Sequence, residues 1–113
     1  MSLKIERLNN LIQREVSLIL EREVKDKGIE FVTVTAVRTS SDLSFCRIYV
    51  TCLNDEKRAE IMQSLKNASG FIRKELASRI EVRHIPVLDF VYDESIEYGQ
   101  RIEEKIKEIY NEN

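Results

Sequence analysis

One histidine, two cysteines and three glycines in 113 residues leave little room for several kinds of chemistry. His84 has no acid–serine pairing near it from which a nucleophilic triad could be built. No Cys-x-x-Cys or His-Glu-x-x-His spacing is present, so a zinc site is not expected. The glycines stand apart at 28, 70 and 99, so there is no glycine-rich phosphate loop. No apolar run approaches the roughly 20 residues that cross a bilayer. The start, Met1-Ser2-Leu3-Lys4-Ile5-Glu6, lacks the apolar core and cleavage site of a signal peptide. Asp89, Asp93 and Glu94 lie close together, but they read as a helix cap and surface charges rather than as a metal or acid–base site. The expectation is a cytoplasmic protein that is not an enzyme, with no cofactor, metal or membrane partner.

What is present suits one domain over residues 1–113, with 42% hydrophobic and 34% charged residues. The net charge of −2 is unevenly spread. Residues 93–113 hold seven acids against three bases, a net of −4, which leaves +2 on residues 1–92. Between 61 and 84, five bases (Lys66, Arg73, Lys74, Arg79, Arg83) face two acids, Glu75 and Glu81, with His84 at the edge. Such a segment is either a solvated helix face or a surface that steers a polyanion.

Hydrophobic periodicity predicts a first helix over 3–26, with Ile5, Leu8, Ile12, Val16, Ile19 and Leu20 as its stripe. Lys25 and Lys27 suit its C-terminal end, and Gly28 is a plausible stop. Arg7 and Arg14 share a face and read as surface charges. β-branched residues predict a strand over 31–38, turn chemistry at 39–43, and a second strand over 44–53, together an antiparallel hairpin. In the second strand Cys46, Ile48, Val50 and Cys52 share one face, and Phe45, Arg47, Tyr49 and Thr51 the other. Cys46 and Cys52 lie roughly 20 Å apart along an extended strand, beyond disulfide reach, and read as small buried hydrophobes.

Asn54 or Asp55 can cap a following helix whose stripe is Ile61, Leu65 and Ala68. After a break at Ser69-Gly70, Ile72, Leu76 and Ile80 resume the stripe. Pro86 then opens a third strand over 87–92, which can return parallel to a hairpin strand. Asp93 or Ser95 would cap a last helix over 94–110, striped by Ile96, Ile102, Ile106 and Ile109. The resulting α-β-β-α-kink-α-β-α order is α+β, and its first six elements have the layout of a type II KH-like domain with a three-stranded mixed sheet, although ferredoxin-like and other small α+β domains can give a similar order. KH domains clamp a nucleic-acid backbone at a Gly-x-x-Gly loop between two helices. Here Ala68-Ser69-Gly70 stands in that place. Glycine in a helix interior costs about 0.5–1 kcal/mol, so the tripeptide marks either a packing kink or a close backbone approach.

Longer motifs sharpen this. Ala68-Ser69-Gly70 continues into Phe71-Ile72-Arg73. Downstream comes Arg83-x-x-Pro86-x-Leu88-x-Phe90-x-x-Asp93-x-Ser95, then Ile96-Glu97-Tyr98-Gly99-Gln100-Arg101-Ile102. Upstream stand Ser41-Asp42-Leu43-Ser44 and Arg47-Ile48-Tyr49-Val50. Over nearly its whole length the chain resembles the bacterial ribosome-binding factor A family, in which an Ala-x-Gly kink replaces Gly-x-x-Gly. The resemblance implies a maturation factor that binds the assembling small ribosomal subunit and its 16S rRNA and promotes processing of the rRNA 5′ end. It also implies association with growth in the cold and release aided by a ribosome-dependent GTPase. A monomer is expected.

The local charge excess makes Lys66, Arg73, Lys74 and Arg79 the candidate phosphate contacts, extended by Arg83 and His84. Ser69 and Gly70 would shape the bend and permit close approach. Pro86, Leu88, Phe90, Asp93 and Ser95 carry much of the resemblance but are assigned structural roles. The competing readings are a general single-stranded RNA-binding KH-like module and a protein–protein adaptor.

Overall fold

Residues spaced three and four apart coil the start of the chain into α1, Leu3–Arg22, whose Ile12, Val16, Ile19 and Leu20 are buried. The computed structural model describes residues 3–24, 29 and 32–95. Helix α1 ends earlier than its hydrophobic pattern predicts. The Ile19 carbonyl accepts both the Glu23 and the Val24 amide, at 2.9 and 3.2 Å, and the second bond is too wide for an α-helical turn. The predicted stop at Gly28, with Lys25 and Lys27, lies outside the described residues, as does the helix predicted beyond Ser95.

Strand β1, Val32–Thr39, and strand β2, Phe45–Cys52, pair antiparallel as expected from their short connection. The turn between them is built on Asp42. Its Oδ1 accepts from the Ser40 hydroxyl, the Ser44 hydroxyl and the Ser44 amide at 2.7, 2.7 and 3.1 Å. Leu43 is held at φ 63°, the left-handed region that non-glycine residues avoid. The hydrogen bonds to Ser40 and Ser44 hold the Asp42 carboxyl down to about 2.

The hairpin register slips between Val34 and Ala36, leaving Thr35 as an extra residue in β1. This bulge lets Val34 and Val37, which are three apart, both point into the core despite the two-residue period of a strand. The Thr35 hydroxyl lies 2.6 Å from Asp93 Oδ2 and 3.3 Å from the Tyr49 carbonyl. It donates to the carboxylate, which ties the bulge to the end of the last strand.

Asn54 caps a 3-10 turn, Asp55–Lys57, with its Oδ1 accepting from the Glu56 amide at 3.1 Å. Helix α2, Arg58–Arg79, follows directly. It runs unbroken through Ala68-Ser69-Gly70, so the expected division into two helices does not occur. The stripe explains why. Ile61, Leu65, Ala68, Ile72 and Leu76 are four, three, four and four residues apart, so they stay in phase on one helix face and pack into one core. Ser69 satisfies its own hydroxyl by donating to the Lys66 carbonyl at 2.8 Å. Gly70 has no positive φ. The glycine penalty is outweighed by continuous burial on either side.

Strand β3, Val87–Tyr92, pairs parallel with β2 and completes a sheet of order β1-β2-β3. Both helices contact the sheet, α1 chiefly at β1 and α2 at β3, and they contact each other. The core between them holds Cys46, Ile48 and Val50 of β2 and Leu88 and Phe90 of β3, as their alternation predicts. Cys46 is buried and Cys52 half-buried, both as free thiols. Burial pushes the Cys46 thiol up.

Candidate nucleic-acid interface

Ile80 leaves the helix in an extended conformation, and residues 81–86 turn back along α2 before β3 begins. Arg73 clasps this loop. Its Nη2 donates to the Ile85 carbonyl at 2.7 Å, and its Nε reaches the Ile85 and Pro86 carbonyls at 3.3 and 3.2 Å. Pro86 is buried, and the Val87 amide, donating to the Ser44 carbonyl at 3.0 Å, starts the strand.

The fold-back creates a shallow groove of about 370 Å³. Gly70, Arg73 and Lys74 of α2 form one wall, and Arg83, His84 and Ile85 of the loop the other. Five predicted residues thus meet there: Gly70, Arg73, Lys74, Arg83 and His84. Lys66 is exposed one helical turn before Gly70. A Cβ added to Gly70 would meet nothing within 4 Å, so the glycine leaves open space at the groove rather than relieving a clash.

The candidate bases differ in how they are used. Among the described residues, no ion pair engages Lys66, Lys74 or Arg83, and all three are exposed. Arg73 keeps its charge at the groove, but two of its nitrogens hold the loop. Arg79 points elsewhere. Its guanidinium lies 3.5 Å from Glu15 and 3.5 Å from Glu23 and is half-buried, so it joins α2 to α1. Ser69 lies half-buried with its hydroxyl turned onto its own helix. The arrangement places positive charges beside an open stretch of helix backbone at Gly70.

Sequence reasoning missed Ala77 and Val82, which add an apolar lining to the groove. Val82 carries no periodic signal because it lies in the loop. It also missed Arg58, which packs over the Tyr92 ring at 3.7 Å and pairs with Asp55 at 2.6 Å, bracing α2 against β3. Asp93 Oδ1 accepts from the Ser95 amide at 2.9 Å and from the Ser95 hydroxyl. Hydrogen bonds from Ser95 and Thr35 hold its carboxyl below the usual range. The described residues contain no cluster of histidine, cysteine and carboxylates able to hold a metal, and no helix long and apolar enough to cross a membrane.

Comparison with known proteins agrees with this architecture. Residues 4–106 match the family model of ribosome-binding factor A. A ribosome-binding factor A of Macrococcus caseolyticus is 43% identical over 110 residues, spanning 96% of each chain. That of Staphylococcus saprophyticus is 41% identical over 111 residues, spanning 97% of each. The crystal structure of ribosome-binding factor A from Thermus thermophilus superposes with a TM-score of 0.71 at 26% identity, covering 78% of this chain and 94% of that one. Coordinates of the Thermus thermophilus factor fitted into a cryo-electron microscopy map of its complex with the 30S subunit give a TM-score of 0.61 at 25% identity, covering 84% of this chain and 97% of that one. Sequence motifs, α+β KH-like fold and near full-length matches converge: the chain belongs to the ribosome-binding factor A family.

Proposed function

We propose that this single-domain protein binds the assembling small ribosomal subunit and its 16S rRNA, and promotes rRNA 5′-end processing by binding rather than by catalysis. The observation that carries the RNA contact is the groove between α2 and the 81–86 loop, where Lys74, Arg83 and His84 converge beside Gly70. Lys74 and Arg83, which no described carboxylate pairs, attract a phosphate backbone, and a glycine lets that backbone approach the helix. Such contacts position the protein and carry little base specificity. Lys66 extends the basic line along α2. Arg73 contributes charge and holds the loop in place. Arg79 is a poor phosphate contact because two carboxylates already neutralise it.

In this reading the protein acts in the cytoplasm as a monomer, on the precursor subunit, supports growth in the cold, and leaves with the help of a ribosome-dependent GTPase. The Thermus thermophilus complex with the 30S subunit supports the choice of partner.

The test is co-sedimentation with immature and mature small subunits across a salt series. Phosphate contacts release counterions, so affinity should fall steeply with salt. A Lys74→Glu/Arg83→Glu double variant should bind more weakly, with a salt slope reduced by about one to two. Equal co-sedimentation of the variant and the parent chain would refute the groove. Equal affinity for unrelated single-stranded RNA and for immature subunits would point instead to a general RNA-binding module.

A further inference from the structure

Among the described residues, α1 and α2 cover one face of the sheet, and the other face carries an arrangement that the groove does not use. On the central strand β2, Phe45, Arg47 and Tyr49 alternate with the buried Cys46, Ile48 and Val50. Phe45 is 42% exposed, an unusual cost for a large aromatic ring. Its parallel neighbour Val87 is 51% exposed. Tyr49 lies between Ala36 of β1 and Val91 of β3 and is half-buried.

Arg47 stands between the two rings and directly opposite Arg38 of β1. Like charges placed opposite one another on a sheet are destabilising. One acid offsets part of this repulsion: Asp89 of β3, on the other side of Arg47, pairs with it at 3.7 Å, while Asp93 is held by Thr35 and Ser95, so two arginines face one partner carboxylate and the centre keeps a net positive charge. Two aromatic rings about 13 Å apart along the strand thus flank a positive centre.

We infer that this open sheet face is a second RNA-binding surface, which takes unpaired nucleobases on Phe45 and Tyr49 and the intervening phosphates on Arg47 and Arg38. Bases stack on exposed aromatic rings of sheet surfaces, and every base has a face to offer. A phosphate between Arg38 and Arg47 relieves their repulsion. A protein partner would use the apolar area of Phe45 and Val87, but it would leave the opposed arginines unexplained unless it were acidic. The inference rests on the RNA-binding reading above but uses different residues.

The test measures fluorescence anisotropy of a labelled dodecauridylate, with co-sedimentation of immature subunits run in parallel. Phe45→Ala and Tyr49→Ala should each weaken oligomer binding by about five- to a hundredfold. Phe45→Tyr, which keeps a ring, should restore most of the affinity. Phe45→Leu, which keeps apolar area without a ring, should not. Thermal melting monitored by circular dichroism should stay close to that of the parent, since the ring is half outside the fold. Oligomer affinity within twofold of the parent in both alanine variants overturns the inference. So does parent-like binding by Phe45→Leu, or no measurable binding of the oligomer by the parent chain at low salt. Loss of subunit binding without loss of oligomer binding assigns the face to a protein contact and also overturns it. The Lys74→Glu/Arg83→Glu variant separates the two surfaces: subunit binding lost only there refutes the sheet face and keeps the groove, and the reverse pattern refutes the groove and keeps the sheet face.

Discussion

Replacing Arg73 should loosen the wall of the groove before it alters the charge of the groove. The guanidinium makes one short and two longer hydrogen bonds, at 2.7, 3.2 and 3.3 Å, to the carbonyls of Ile85 and Pro86. A hydrogen bond with a charged partner contributes about 1.5–3 kcal/mol when well shielded. Arg73 is exposed, so solvent competes, and about 1–2 kcal/mol is the appropriate size for the whole clasp. For a chain of this length that corresponds to a fall in melting temperature of about 4–8 °C. Arg73→Ala should show it in thermal melts followed by circular dichroism. Arg73→Lys should show most of it, because an ammonium on a flexible stem cannot chelate two neighbouring carbonyls as a planar fork does. The lysine variant should nevertheless keep the salt dependence of subunit binding, since its charge is unchanged. Melting temperatures of both variants within about 1 °C of the parent would show that the loop is held by Pro86 and the strand alone.

Gly70→Ala should raise the melting temperature, with a gain of about 0.5–1 kcal/mol, because α2 is helical there and the added Cβ meets no atom; a loss of stability would mean that the helix needs its glycine. The same variant should weaken subunit binding if a phosphate backbone lies against Gly70. Ile72→Ala, at a position fully buried between α2 and the sheet, should destabilise by about 2–5 kcal/mol in urea unfolding, and a midpoint like the parent's would contradict the placement of the core. Asp42 adds a pH dependence. Its folded value, about 2, lies below the ordinary 3.8, so its contribution is complete above about 4 and disappears as pH falls towards 2. Acid melts of the parent and of Asp42→Asn should therefore converge in that window, and a constant gap across it would refute the role of the turn.

Much of the framework was legible in the sequence because it depends on local periodicity. The two-residue alternation of β2 and β3 identified which side chains enter the core, and the cap at Asn54 was readable from residue type. The parallel return of β3 followed from the helical segment before it. The in-phase stripe from Ile61 to Leu76 also encodes an unbroken α2, while the low helix propensity of Ser69 and Gly70 locally points the other way. The bulge at Thr35 was hidden, because a run of β-branched residues looks the same with or without a register slip.

The bases show where sequence stops. Composition and order alone made residues 61–84 a basic segment, placed Gly70 within it, and pointed to an α+β domain; the motifs from residue 68 to 99 narrowed it to the KH-like type. Charge counted along the chain cannot tell a free cation from a paired one. Only the tertiary structure decided that Arg79 faces Glu15 and Glu23 of α1, that Arg73 is occupied by backbone carbonyls 12 and 13 residues away, and that Lys74, Arg83 and His84 meet across one groove. The physical reason is range. Helices and strands are set by neighbours a few residues apart, whereas the availability of a charge depends on which distant carboxylate or carbonyl the fold brings within about 4 Å of it.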